Sequence, residues 1–150
     1  MENGNCDKKS GLGLLILRVG IGAMFMTHGY GKLVGGPEMW GKVGGAVSNF
    51  GIHFAPTFFG LMAALSEFGG GLCLILGLFF RPACFFMLCT MIVASTHHFV
   101  SGDGLQVASH AIEDGIVFLS LMLIGPGQWS LNKKMCSNGR CSSSDEAGKK

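Results

Sequence analysis

Residues 56–80 read PTFFGLMAALSEFGGGLCLILGLFF, an apolar run interrupted by one charged residue, Glu67. A helix of about 20 residues spans about 30 Å, the thickness of the hydrocarbon layer of a bilayer. Within lipid, backbone polar groups must be satisfied inside the segment, so the run predicts a transmembrane helix and excludes an open strand. Three more runs of this kind flank it, at about 11–34, 82–100 and 108–127. Together they predict an all-α integral membrane protein, a four-helix transmembrane bundle over residues 11–131. A short tail, 1–10, precedes it and another, 132–150, follows. Lys8 and Lys9 before the first run resemble the start of a signal peptide. The run is long, however, carries Arg18 and lacks a small-x-small cleavage site, so it reads as a retained helix.

Composition agrees with this reading. Hydrophobic residues make up 49% of the 150 residues and charged residues 13%, about half the charged share of a soluble domain. With a mean hydropathy of +0.46, this argues against a soluble domain and against a disordered chain. The net charge of +2, with no basic stripe interleaved with aromatics, excludes a nucleic-acid module. The cysteines do not form a secreted disulfide framework. Cys73, Cys84 and Cys89 lie inside apolar runs, as small hydrophobes do. Cys136-x4-Cys141 has no neighbouring histidine and is a weak metal signal.

The basic residues give an orientation. Four crossings put Lys8, Lys9, Arg81, Lys133, Lys134, Arg140, Lys149 and Lys150 on one side, against Lys42 and Lys32 on the other. The positive-inside rule then predicts both termini in the cytoplasm. Between the first two spans, Trp40, Val43, Val47 and Phe50 recur at spacings of 3, 4 and 3. That spacing predicts a short interfacial amphipathic helix anchored by Trp40, with a packed glycine-rich loop as the alternative. The tail after Leu131 is rich in Ser, Gly and charge and reads as disordered.

Charges inside the spans are the informative residues, because one at a helix centre costs roughly 2.5–3.5 kcal/mol on insertion scales. At 100° per residue, Arg18, Gly22, Phe25, Gly29 and Lys32 fall within about 40° of one line on the first helix. His28 lies to one side of that line. The glycines let a second backbone approach closely. Glu67, with Gly70 and Gly71 on the same face, points toward such a neighbour. Arg18 is its expected partner in depth, and a paired carboxylate is ionised where a lone one is protonated.

His97 and His98 end the third run, while His110, Glu113 and Asp114 begin the fourth. With alternating helix direction they join His28 and Lys32 in a polar cluster at one end of the bundle. Such a cluster can shuttle protons, or can simply meet water and headgroups at the membrane boundary. Metal or haem ligation are weaker readings. No H-E-x-x-H is present, no Glu-x-x-His recurs on two helices, and no metal ligand set is assigned.

Several of these residues form an ordered series: Arg18-x3-Gly22-x2-Phe25-x2-His28-Gly29-x2-Lys32-Leu33, then Glu67-x2-Gly70-Gly71, then Leu76-Gly77-Leu78-x2-Arg81. The histidine ending the third helix, Glu113, and Gly125-Pro126-Gly127-x2-Ser130-Leu131 complete it. In this order they resemble the DoxX family of small four-helix bacterial membrane proteins, over about residues 11–132. Gln128 and Asn132 depart from that pattern, where members often carry Arg and Asp. The resemblance implies a membrane component of a redox system, since some relatives are described as the quinone-facing subunit of a thiosulfate-oxidising complex.

On that basis the expected ligand is a quinone. Arg18, Phe25, Lys32, His97 and His98 are its candidate binding residues, and His28, Glu67 and Glu113 the candidate proton-handling, catalytic ones. Phe25 would flank the ring, His28 or Lys32 would donate, and Glu67 or Glu113 would relay protons. The chain carries no haem, flavin or iron–sulfur signature, so a redox partner protein would supply electrons. Two other classes fit the same residues. One is a small-solute or proton transport module, for which a homo-oligomer would enlarge the narrow interior. The other is a membrane assembly or scaffold protein.

Overall fold

The computed structural model describes residues 3–127 and 129–131. Gln128, Asn132, Cys136, Cys141 and the expected disordered tail lie outside the described residues. Among the described residues five α-helices follow one another: α1 (Asn3–Val34), α2 (Gly36–Gly44), α3 (Pro56–Leu76), α4 (Phe80–Ser101) and α5 (Leu105–Ile124). A 3-10 turn, Gly45–Phe50, continues α2. Among the described residues four segments are long and apolar enough to cross a membrane: Lys9–Val34, Pro56–Leu76, Phe80–Ser101 and Leu105–Ile124. Large apolar side chains such as Ile16, Phe58, Phe86 and Leu123 stand exposed on all four. That is the expected surface of a helix bathed in lipid and a costly one in water.

The second span stops short of its sequence reading. Gly77 takes φ 67°, its N–H meets the Leu74 carbonyl, and the Leu78 N–H reaches back to the Cys73 carbonyl. This left-handed cap ends α3 at Leu76, and α4 begins four residues later at Phe80.

Glycine sets the approach of α1 to α3. A Cβ on Gly22 would come 2.7 Å from the Gly71 carbonyl oxygen, and one on Gly29 would strike the Phe68 backbone. The stripe that the sequence places on one face is the buried one: Arg18, Gly22, Phe25 and Gly29 are all buried and Lys32 is half-buried. The same device docks α2 on the start of α3, where Gly44 and Gly60 pack against the opposing backbones. Trp40 does not depend on a headgroup for its N–H, because Nε1 donates to the Lys32 carbonyl at 2.9 Å. The core runs between α4 and its neighbours through Phe25, Leu74, Phe80, Met87, Phe118 and Leu121.

Candidate functional site

Lys32 lies near the end of α1 and Glu67 near the middle of α3. The two helices are antiparallel. Cα–Cβ bonds tilt toward a helix's own N-terminus, so Lys32 leans back into the bundle and Glu67 leans up to meet it. Lys32 Nζ lies 2.5 Å from Glu67 Oε1. The lysine side chain is 29% exposed and the glutamate 2%. The second carboxylate oxygen, Glu67 Oε2, is buried and has no hydrogen-bond partner.

The pair sits on the wall of a groove of about 780 Å³ between α3 and α4, closed at one end by α2 and the 3-10 turn. The walls are mainly apolar and aromatic, with Phe58, Phe59, Phe85 and Phe86 among them. The polar exceptions are few. Ser66 and Thr90 face each other across it, with Thr90 Oγ1 3.4 Å from Ser66 Oγ. His97 and His98 also line it. His97 lies 3.5 Å from Asn49 of the 3-10 turn, and His98 pairs with Asp103 at 2.8 Å. The sequence reading missed Ser66, Thr90, Asn49 and Asp103 as members of this region. Ser66 and Thr90 were visible as isolated polar residues in apolar runs. Asn49 and Asp103 gave no signal, since both sit in connecting segments.

Arg18 is elsewhere, and the expected Arg18–Glu67 pair does not form. Arg18 Nε donates to the Leu74 carbonyl at 2.9 Å and Nη2 to that of Ile75 at 3.1 Å. Nη1 donates to the Pro126 carbonyl at 2.5 Å and reaches that of Trp129 at 3.4 Å. Its Cζ lies 5.3 Å from the Phe80 ring centroid. The reason is the end of α3, where the last carbonyls lack the regular i+4 donor and the negative end of the helix dipole attracts a cation. That end is two turns past Glu67, about 10 Å along the axis. Arg18 therefore ties α1, the end of α3 and the segment after α5 together, and it does not line the groove.

The DoxX family profile matches residues 13–99, from early α1 to the end of α4. This chain belongs to the DoxX family. The matched segment contains Arg18, Lys32, Glu67, His97 and His98, so the Lys32–Glu67 pair and the groove lie inside the DoxX part, while the Pro126 and Trp129 carbonyls that Arg18 meets lie beyond it. A relative that spans more of the chain is the Inner membrane protein YqjF of Escherichia coli (strain K12). It is 28% identical over 133 residues, which cover 84% of this chain and 94% of that protein. No solved structure matches the chain.

The remaining candidates of this DoxX protein lie on the α1–α5 side. Phe25 is buried with its ring edge-on to Phe118, 4.9 Å between centroids. His28 stands 6.2 Å from Phe25 and is exposed, as are His110 and Glu113. Asp114 is half-buried and within electrostatic reach of His28, His110 and Glu113. The single cluster read from the sequence is thus two. Lys32, Glu67, His97 and His98 share the groove, while His28, His110, Glu113 and Asp114 gather on the other side of α1. Among the described residues no three His, Cys, Asp or Glu side chains converge as a metal site.

Proposed function

We propose that this protein is a bacterial inner-membrane component of a redox system that binds a lipid-soluble quinone in the α3–α4 groove. One observation carries the reading: a buried, half-satisfied ion pair, Lys32–Glu67, opens onto an apolar groove between two lipid-facing helices. Binding sites for small apolar molecules combine such walls with a few placed polar groups. A quinone suits this groove because it enters laterally from lipid, lays its ring against phenylalanines and brings its oxygens to the polar end. The bound group supplies two-electron chemistry, in which uptake of two electrons is balanced by two protons.

This chain's residues then have distinct tasks. Lys32 Nζ donates a hydrogen bond to a head-group oxygen. Glu67 receives or delivers a proton at Oε2. His97 and His98, along the same groove, connect it to water at the membrane boundary. Arg18 holds the scaffold at the other end of α3. The sequence carries no haem, flavin or iron–sulfur motif, so the reading assigns electron delivery to a partner protein. The name of the E. coli relative favours the inner membrane, and the bias of lysines and arginines favours termini in the cytoplasm.

Quinone content tests this. Protein purified in mild detergent from bacterial membranes is extracted with organic solvent, and total quinone is measured by chromatography. The expected result is close to one quinone per chain, falling several-fold in Glu67→Gln and in Lys32→Met. Trace quinone in the wild-type protein overturns the reading.

A further inference from the structure

Glu67 satisfies one of its oxygens, Oε1, with the Lys32 ammonium and leaves the other, Oε2, buried without a donor. A buried polar atom without a partner carries a penalty, larger for a charged group, and native structures rarely leave one unmet. None of the donors on the groove wall, Ser66, Thr90, His97 and His98 among them, bonds to Oε2. The missing donor therefore points to the occupant.

The two oxidation states of a quinone differ in this respect. The oxidised head has only carbonyl oxygens, which accept. One of them can take a bond from Lys32 Nζ, but it leaves Oε2 unmet and sets two acceptors against each other. A hydroxyl both donates and accepts. It gives its proton to Oε2 in a hydrogen bond and takes one of the N–H donors that Lys32 does not use on Oε1. We propose that the α3–α4 groove selects a hydroxyl-bearing aromatic head, the reduced quinol, over the oxidised quinone. The proposal rests on the quinone-binding reading above. It adds the direction of selection, set by Glu67 Oε2. Lys32 serves both forms equally, so the discrimination belongs to Glu67.

A redox-inert pair isolates this one hydrogen bond. 4-Dodecylphenol and its methyl ether, 4-dodecylanisole, share ring and tail. They differ in the ability to donate. Each is titrated calorimetrically into the full-length protein in mild detergent, with empty micelles as the blank. The expected result is phenol binding about tenfold tighter than the ether, as for one hydrogen bond to a charged acceptor. In Glu67→Met the ratio falls to about one, because Lys32 still donates to either oxygen. Equal affinity in the wild-type protein overturns the proposal, and that comparison decides by itself if Glu67→Met does not fold. Discrimination that survives in Glu67→Met overturns it as well. Quinone content separates the two readings. Copurifying quinone without phenol preference leaves quinone binding standing and sinks the selection. Phenol preference without copurifying quinone supports hydroxyl selection at Glu67 and sinks the quinone reading.

Discussion

At one end of α3 the Arg18 guanidinium is surrounded by the carbonyls of Leu74, Ile75, Pro126 and Trp129 and backed by the Phe80 ring. Two turns away on the same helix, Glu67 meets a single cation and keeps one oxygen unused. Both groups are almost fully buried, Arg18 at 1% exposure and Glu67 at 2%. The difference teaches how to tell a structural charge from an active one inside a membrane. A charge bonded through every one of its nitrogens has little capacity left for a ligand, so its worth lies in joining helices. A half-satisfied charge beside a groove has capacity to spare, and the proposed function assigns that capacity to a ligand.

The comparison breaks first at Arg18. Arg18→Met leaves at least three carbonyls without their donor and unties α1 from α3 and the segment after α5. Each buried acceptor left without its donor costs about 1–3 kcal/mol, and several are left at once. The expected outcome is a large fall in the detergent unfolding midpoint and in membrane abundance. Arg18→Lys should not restore either, since an ammonium lacks the planar fork that reaches separate carbonyls. A variant of normal stability would remove the structural role.

Next comes the glycine seam. Gly22→Val drives a branched side chain into the Gly71 carbonyl, where a Cβ alone already comes within 2.7 Å. Overpacking of this kind costs about 1–3 kcal/mol. It should also separate Lys32 from Glu67, since α1 carries one and α3 the other. Cysteines introduced at positions 25 and 74 across this seam should therefore crosslink more slowly in Gly22→Val than with Gly22 intact. An unchanged rate would mean the seam is looser than its geometry.

Glu67→Gln is the sharper test of the contrast. The amide keeps the volume, and Lys32, 29% exposed, can turn toward the groove. A stability loss of about 1–2 kcal/mol is expected, well below that at Arg18. Its main effect falls on ligand content instead. A loss as large as that of Arg18→Met would show that Glu67 is as structural as Arg18. The smallest effect is expected at Glu113, which is exposed on α5 outside the groove. Glu113→Gln should stay within about 0.5 kcal/mol of wild type in unfolding and should leave quinone content unchanged. A fall in quinone content there would extend the site to the α1–α5 side.

Much of the bundle was legible residue by residue. The stripe Arg18–Gly22–Phe25–Gly29–Lys32 faces inward as its spacing required, and Gly71 marks the close approach of α3. Glu67 points at α1, the helix that Gly71 meets, while Gly70 packs against Met87 of α4. The choice of its partner was not legible, because Arg18 and Lys32 share that stripe. Nor was the division of the histidines, since His28 and His97 lie toward the same end of the first and third spans yet only His97 lines the groove.

The sequence by itself determined the number of spans, their helical state and the inward face of α1. These are local properties: lipid forces each backbone to satisfy itself, and helical periodicity fixes which side chains share a face. Only the tertiary structure decided which cation meets Glu67 and where a groove opens. Those depend on the register and splay of helices far apart in the chain. They also depend on the tilt of side chains toward their N-termini and on the carbonyls at the end of α3, whose remaining acceptor capacity captures the arginine and leaves the lysine to the carboxylate.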